Sequence, residues 1–379
     1  MIKSKLPNVG ATIFSVMSAL AAKHNAVNLS QGFPDFPIDD LLKDYVKEAM
    51  DENQVQYAPL AGRFDLRLAI SNKIKLQHDV FIDPNDEITI TAGATQGIYT
   101  AIATLIDKGD EVILFDPAYD CYDPAIRVHK GIPIHLNLKH PNYATDWEEL
   151  GRTITDKTKL IIFNNPHNPS GAIWSKDDLL SLEKIIEKHP NLYILSDEVY
   201  EHIQYRGEHQ SVLKSKLLRE RAIVCYSFGK SMHVTGWKLG YVITPADFMI
   251  EFRKIHQYLV FCANNTMQYA VMKYLIHGPS YKEIAPFYQR KRDLFLSQIQ
   301  ASRFKILPCD GTYFLLLDYS AISDLSDIEF AKKMTIDYGV AVIPVSVFYQ
   351  DKTDHKVVRI CFAKTDETLL KAAKLLCRI

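Results

Sequence analysis

The chain has 379 residues, 47% hydrophobic and 23% charged, a balance that supports one large folded unit plus a smaller one and excludes extended disorder. Its formal net charge is −1, and Lys and Arg form no long block, so the basic surface that nucleic acid requires is missing and a small-molecule partner is favoured. The six cysteines form no CxxC pair, which argues against a disulfide framework or a zinc site, and no signal-type N-terminus or run of about 18 apolar residues occurs, so the expectation is a cytoplasmic enzyme with no membrane partner.

A helical pattern over residues 13–23 comes first, followed by Ser30-Gln-Gly-Phe-Pro-Asp-Phe-Pro, whose glycine and prolines demand an irregular loop able to cover a site. From about residue 86 to 245, short β-type runs alternate with helical patterns. Strands are predicted over 87–91, 111–115, 132–138, 160–164, 192–196, 223–227 and 241–244, the pattern of an α/β sheet built by crossovers. A long helical pattern over 283–300 leads to a second block with a strand at 312–317, a helix near 328–338 and a strand at 357–362. That block reads as a smaller α+β domain.

Five of the predicted strands run into residues with usable chemistry: Thr91-Ala-Gly-Ala-Thr, Asp116-Pro-Ala-Tyr, Asn164-Asn-Pro-His-Asn168, Asp197-Glu-Val-Tyr200 and Ser227-Phe-Gly-Lys230. In open α/β sheets ligands bind beyond the carboxyl ends of strands, so these stretches converge on one crevice. Lys230 follows a buried strand, where desolvation and nearby cations favour the neutral amine that forms a Schiff base with an aldehyde. One candidate aldehyde is pyridoxal phosphate, with Ser227 and Lys238 at its phosphate end; the bland alternative is a polar loop with two solvated lysines. Asp197 suits the ring nitrogen of such a cofactor, which works as an electron sink only when protonated, although a helix cap is the plainer role for an aspartate there. Tyr200 and Asn168 are placed to donate to the ring oxygen, although Asn168, flanked by prolines, also suits a plain double turn. Residues 92–97, with Gly93, Ala94 and Thr95, open a helix whose N–H groups suit phosphate, and Tyr119 is placed to stack on a flat ring or simply to pack in the core. No Walker loop, G-x-G-x-x-G fingerprint or G-x-S-x-G elbow is present.

Asn164-x-Pro-x-Asn168-Pro, Asp197-x-x-Tyr200, Ser227-x-x-Lys230, Gly236-Trp-Lys238-x-Gly240 and Arg359 in Val358-Arg-Ile-Cys-Phe362 resemble, in order and spacing, the class I/II pyridoxal-phosphate aminotransferases of fold type I. Within them the chain is most similar to bacterial methionine aminotransferases and the kynurenine/glutamine transaminases, through Asn28-Leu-Ser-Gln-Gly-Phe-Pro-Asp-Phe36, Gln56-Tyr57-Ala-Pro, His256-Gln-Tyr-Leu-Val-Phe261 and Gly311-Thr-Tyr-Phe314.

The resemblance implies an N-terminal arm and loop (1–36), a large cofactor-binding domain (37–280) with a mixed, mostly parallel seven-stranded sheet, and a small C-terminal domain (281–379). It gives Lys230 the covalent link and the proton shuttle, Asp197 the pyridine nitrogen, Asn168 and Tyr200 the ring oxygen, and Tyr119 the stacking ring. Gly93, Ala94, Thr95, Ser227 and Lys238 would hold the phosphate of pyridoxal 5′-phosphate, joined by Tyr57 from a second subunit. Arg359 would clamp the substrate α-carboxylate with its bidentate fork, completed by Asn164 and the backbone of Gly32. Phe14, Phe261, Cys262 and Tyr313 would form an apolar side-chain wall, with Phe261 and Cys262 at the subunit interface. Cys262 stands where kynurenine-type relatives carry histidine, and residues 259–265 contain no cation of the kind aspartate-specific relatives use. The implied protein is a homodimeric transaminase with shared sites, acting on methionine or bulky apolar and aromatic amino acids and a 2-oxo acid, the alternative being a cysteine-conjugate β-lyase or kynurenine-type transaminase on the same scaffold.

Overall fold

The structure, a computed structural model, describes residues 2–379. Thr12 starts the first helix, Ile13–His24, by accepting from Ser15 N (3.3 Å), and Asn25 in the left-handed conformation ends it. Strand β1 (Val27–Asn28) follows, and the loop over 30–37 leads to the helices Asp40–Asp51 and Phe64–His78. Then come β2 (Ile88–Thr91), the helix Ala94–Leu105, β3 (Glu111–Asp116), the helix Tyr122–Val128, β4 (Ile132–Asn137), β5 (Thr158–Asn164), β6 (Tyr193–Asp197), β7 (Ala222–Ser227) and β8 (Gly240–Ile243). The helices Ala246–Leu259, Asn265–His277 and Ile284–Ile299 connect to β9 (Lys305–Ile306), β10 (Phe314–Asp318), β11 (Val340–Ala341), β12 (Ile343–Pro344) and β13 (Val357–Cys361), with the helix Asp366–Leu376 at the end.

All seven strands expected over 87–244 form one sheet, in the order β2-β8-β7-β6-β5-β3-β4. Strands β3 to β7 run parallel, and only β8 is antiparallel to its neighbours β2 and β7. The chain therefore has an α/β architecture with a mixed, mostly parallel sheet. Both faces of the sheet are covered, which is why its strands read as nearly continuous apolar runs. Ile113, Phe115, Ile161, Phe163 and Val224 enter one core, while Val112, Leu114, Leu160, Ile162, Ile223 and Cys225 enter the other, following the two-residue alternation of a strand.

A second sheet, ordered β12-β13-β10-β9, is antiparallel throughout. The strand expected from residue 312 begins at Phe314, because Thr312 has φ +61 and cannot continue a ladder. The two-residue strands β1, β9, β11 and β12 are too short for periodicity to reveal. Strand β1 pairs in parallel with β11, and Met17 and Leu29 join the core of the second sheet, so the N-terminal arm is built into the C-terminal part of the fold. Among the described residues no helix is long and apolar enough to cross a membrane.

Candidate active site

The carboxyl ends of β5, β6 and β7 face β13 and the N-terminal loop across a cavity of about 280 Å3. Gly32, Gly93, Ala94, Thr95, Tyr119, Asn164, Asn168, Asp197, Tyr200, Ser227, Lys230, Lys238, Arg359 and Phe14, all singled out in the sequence, line it together. The geometry follows from chain direction. Parallel strands end on the same edge of the sheet, so each delivers its first loop residues to the same crevice.

Lys230 sits in the turn Phe228–Ser231 directly after β7, its Nζ 5.5 Å from the Tyr200 ring and 5.7 Å from the Tyr313 ring. Burial pulls its pKa down to about 8, and the cations Lys238 and Arg359 act in the same direction. Asp197 closes β6, is 4% exposed, and accepts from the Tyr122 hydroxyl at 2.6 Å (Oδ2) and from Val199 N at 3.3 Å (Oδ1). Burial raises its pKa to about 6. No Lys, Arg or His forms an ion pair with it among the described residues. Its neighbour Glu198, on the opposite side of the chain, accepts from Ser196, Val212 N, His209 and Tyr226, so its oxygens are fully engaged in the core. Of these two adjacent buried carboxylates, only Asp197 has lone pairs left for a ligand.

Tyr200 is buried and stacks edge-on against Tyr313 and Phe314; desolvation keeps its phenol protonated well above the ordinary tyrosine value, hence a hydrogen-bond donor. The helix Ala94–Leu105 starts at Gly93 with φ +79 and no side-chain cap, which leaves its first N–H groups and the positive end of its dipole facing the cavity. The φ of +79 favours glycine here, and the Lys238 amine packs against this helix end, in ordinary contact distance (3.4 Å) of where a Cβ on Gly93 would lie. Ser227 stands beside them at the end of β7, also with no capping bond. Three sources of positive charge or N–H and O–H donors thus converge on one corner, which suits an anion such as phosphate.

Arg359 extends from the centre of β13, is 1% exposed, and donates from Nη1 to Asn168 Oδ1 (2.8 Å) and from Nη2 to Ser30 O (3.1 Å). Its Nε has no partner and no carboxylate pairs with it among the described residues. The guanidinium lies 4.0 Å from the Phe314 ring centre and 5.2 Å from that of Phe14. A buried cation held by neutral groups alone is costly and is relieved by a bound anion. Asn164 ties the site together, donating to Asp197 O (2.9 Å) and accepting from Asn168 N (2.7 Å), which leaves one N–H of its amide for a ligand. Gly32 packs so closely that a Cβ would come within 2.8 Å of Phe314, and its carbonyl accepts from Tyr313 OH (2.9 Å).

Tyr313 differs from expectation. It is fully buried behind Tyr200 and does not line the cavity, its hydroxyl donating to the Gly32 carbonyl and its ring centre 5.7 Å from Lys230 Nζ; Phe33, Val199 and Phe314 line the wall. Tyr57 and Phe261, 81% and 48% exposed, stand outside the cavity of the single chain with ring centres 5.1 Å apart, and Cys262 does not line it either. Tyr122, Phe33 and the Ser30 carbonyl were not anticipated. Tyr122 carries no local signal: its partner Asp197 is 75 residues away in the chain.

The family described as aminotransferase class I and II matches residues 24–376. Methionine aminotransferase of Escherichia coli (strain K12) is 46% identical over 374 residues, covering 98% of this chain and 97% of that protein. A kynurenine–oxoglutarate transaminase of Dictyostelium discoideum is 35% identical, covering 96% of this chain and 93% of its own length. Among solved structures, YbdL from Escherichia coli, for which a methionine aminotransferase function was identified, superimposes with a TM-score of 0.98 at 46% identity, covering all of both chains.

Proposed function

The chain belongs to the class I and II aminotransferases, and from that premise we propose that it moves the amino group of methionine, or of another bulky apolar or aromatic amino acid, to a 2-oxo acid, as a cytoplasmic homodimer that uses pyridoxal 5′-phosphate. The observation that carries the substrate class is Arg359, the one arginine among the described residues that line the cavity, set against a wall of Phe14, Phe33, Val199 and Phe314. One fork for one carboxylate, with apolar surface beyond it, suits a monocarboxylic amino acid with a large apolar or sulfur-containing side chain.

The cofactor reading is supported by what remains unsatisfied: an ion-pair-free buried Asp197, an uncapped helix end beside Lys238 and Ser227, and a desolvated amine at Lys230. Asp197 would hold the ring nitrogen, Tyr200 and Asn168 the ring oxygen, Tyr119 the ring face, and Gly93, Ala94, Thr95, Ser227 and Lys238 the phosphate. When bound, the cofactor supplies an electron sink for the pair left at the substrate Cα. Lys230 then acts as the base that takes the Cα proton, its depressed pKa matching that task. Arg359 would fix the α-carboxylate and so orient Cα toward the lysine. The exposure of Tyr57 and Phe261 supports a second subunit that covers them and completes the site.

A donor panel tests the reading. With a mixture of 2-oxo acids, kcat/KM for methionine is expected to exceed that for aspartate by at least about 100-fold, roughly 2.7 kcal/mol, because a β-carboxylate would be buried against the apolar wall without a partner. Comparable efficiencies would overturn the substrate assignment, and a fully active monomer by light scattering would overturn the shared-site dimer.

A further inference from the structure

Asp197 owes its position to a residue so far given no role. The Tyr122 hydroxyl donates to Asp197 Oδ2 at 2.6 Å, and Tyr122 is itself 3% exposed, at the start of the short helix Tyr122–Val128. Burial holds its phenol well above the ordinary tyrosine value, so it stays a donor. The Val199 amide takes the other oxygen at a longer 3.3 Å, and no cation closes the pair. The Tyr122 ring also stands edge-on to Tyr119, 5.9 Å between centres at 70°.

We infer that Tyr122 is a positioning residue for the ring nitrogen of the cofactor: it aims the Asp197 carboxylate and keeps it ionised, while its ring braces the stacking face of Tyr119. Burial works against the ionised form of Asp197, and the Tyr122 hydrogen bond is the first of the contacts that oppose it. A charge-assisted hydrogen bond between two buried groups is strong, and losing it leaves the carboxylate free to rotate or to pick up a proton. The inference rests on the pyridoxal 5′-phosphate reading above and makes a demand on it that packing alone would not.

The full-length chain, freed of cofactor, is titrated with pyridoxal 5′-phosphate and with its 1-deaza analogue, in which carbon replaces the ring nitrogen. Tyr122→Phe keeps the ring and is expected to weaken binding of the natural cofactor about tenfold or more while leaving the analogue within about twofold. In an Asp197→Ala background the same substitution should add nothing. An equal loss for both compounds would mark a packing role and overturn the inference, as would unchanged binding of both or a full additional loss on top of Asp197→Ala. If the unsubstituted chain binds neither compound, the cofactor reading itself fails and this inference falls with it.

Discussion

The Lys230 end of the cavity and the Phe14 end are held in place by different forces. At the Lys230 end the side chains issue from strand termini of one sheet and are locked by hydrogen bonds: Asn164 to Asp197 and Asn168, Tyr122 to Asp197. At the Phe14 end the wall is assembled from the arm and the second sheet: aromatic rings of Phe14, Phe314 and Phe348 pack around Arg359. The hydrogen bonds there, such as Gln31 Nε2 to Phe14 O (3.1 Å) and Tyr313 OH to Gly32 O (2.9 Å), fix the backbone behind the wall rather than its apolar side chains. Hydrogen bonds fix direction as well as distance, whereas apolar contacts fix little more than volume. The first end is therefore suited to one defined chemical group, and the second to a range of side chains of similar size.

Four substitutions or conditions separate these ends. Lys230→Ala removes both the covalent anchor and the base, and should lower transamination at least about 10³-fold with the fold intact by circular dichroism; near-normal turnover would remove Lys230 from the mechanism. Arg359→Lys keeps the charge but loses the fork, and kcat/KM for methionine should fall about 100-fold, mostly through KM. A loss confined to kcat would mean that Arg359 belongs to the proton-transfer end rather than to carboxylate binding. The third test is a pH titration. Because burial, which outweighs the opposing pull of Cys361 and Asp197, lowers Lys230 to about 8, the neutral amine grows as pH rises through that value. Condensation of the cofactor-free chain with pyridoxal 5′-phosphate should thus quicken about tenfold from pH 7 to 9 and then level off, whereas an ordinary lysine would keep accelerating to about pH 10.4. The smallest effect is expected from Phe33→Ala, which strips part of the soft wall: kcat/KM for methionine should drop roughly three- to tenfold with cofactor affinity unchanged, and a loss of cofactor binding would show that the two ends are not separable.

The same division explains what could be read from the sequence. Residues at the Lys230 end lie within a few positions of a strand end, so local patterns locate the strand and direction places the side chain; the seven large-sheet strands and the turn carrying Lys230 are examples. Tyr122 escaped because its partner is 75 residues away and nothing local distinguishes it from a core tyrosine. Tyr313 lies behind the cavity wall, and the pairing that holds it there is just as distant: its hydroxyl donates to the carbonyl of Gly32, 281 residues upstream. The wall at the Phe14 end depends throughout on such distant pairings, which composition and periodicity do not encode.

The parallel pairing of β1 with β11 imposes an order on the making of the molecule. Val27 and Asn28 leave the ribosome early, yet their partners Val340 and Ala341 emerge roughly 300 residues later, a wait of about 15–60 s at ordinary rates of synthesis. Every strand of the large sheet appears within that interval, so this sheet can close while the arm still lacks its partner. Met17 and Leu29, fully covered in the finished protein, lack the part of their core supplied by residues 288–379 throughout the wait. The arm is made before the large sheet yet is sealed after it, and a chain released short of residue 340 would carry that uncovered apolar arm as a mark for degradation.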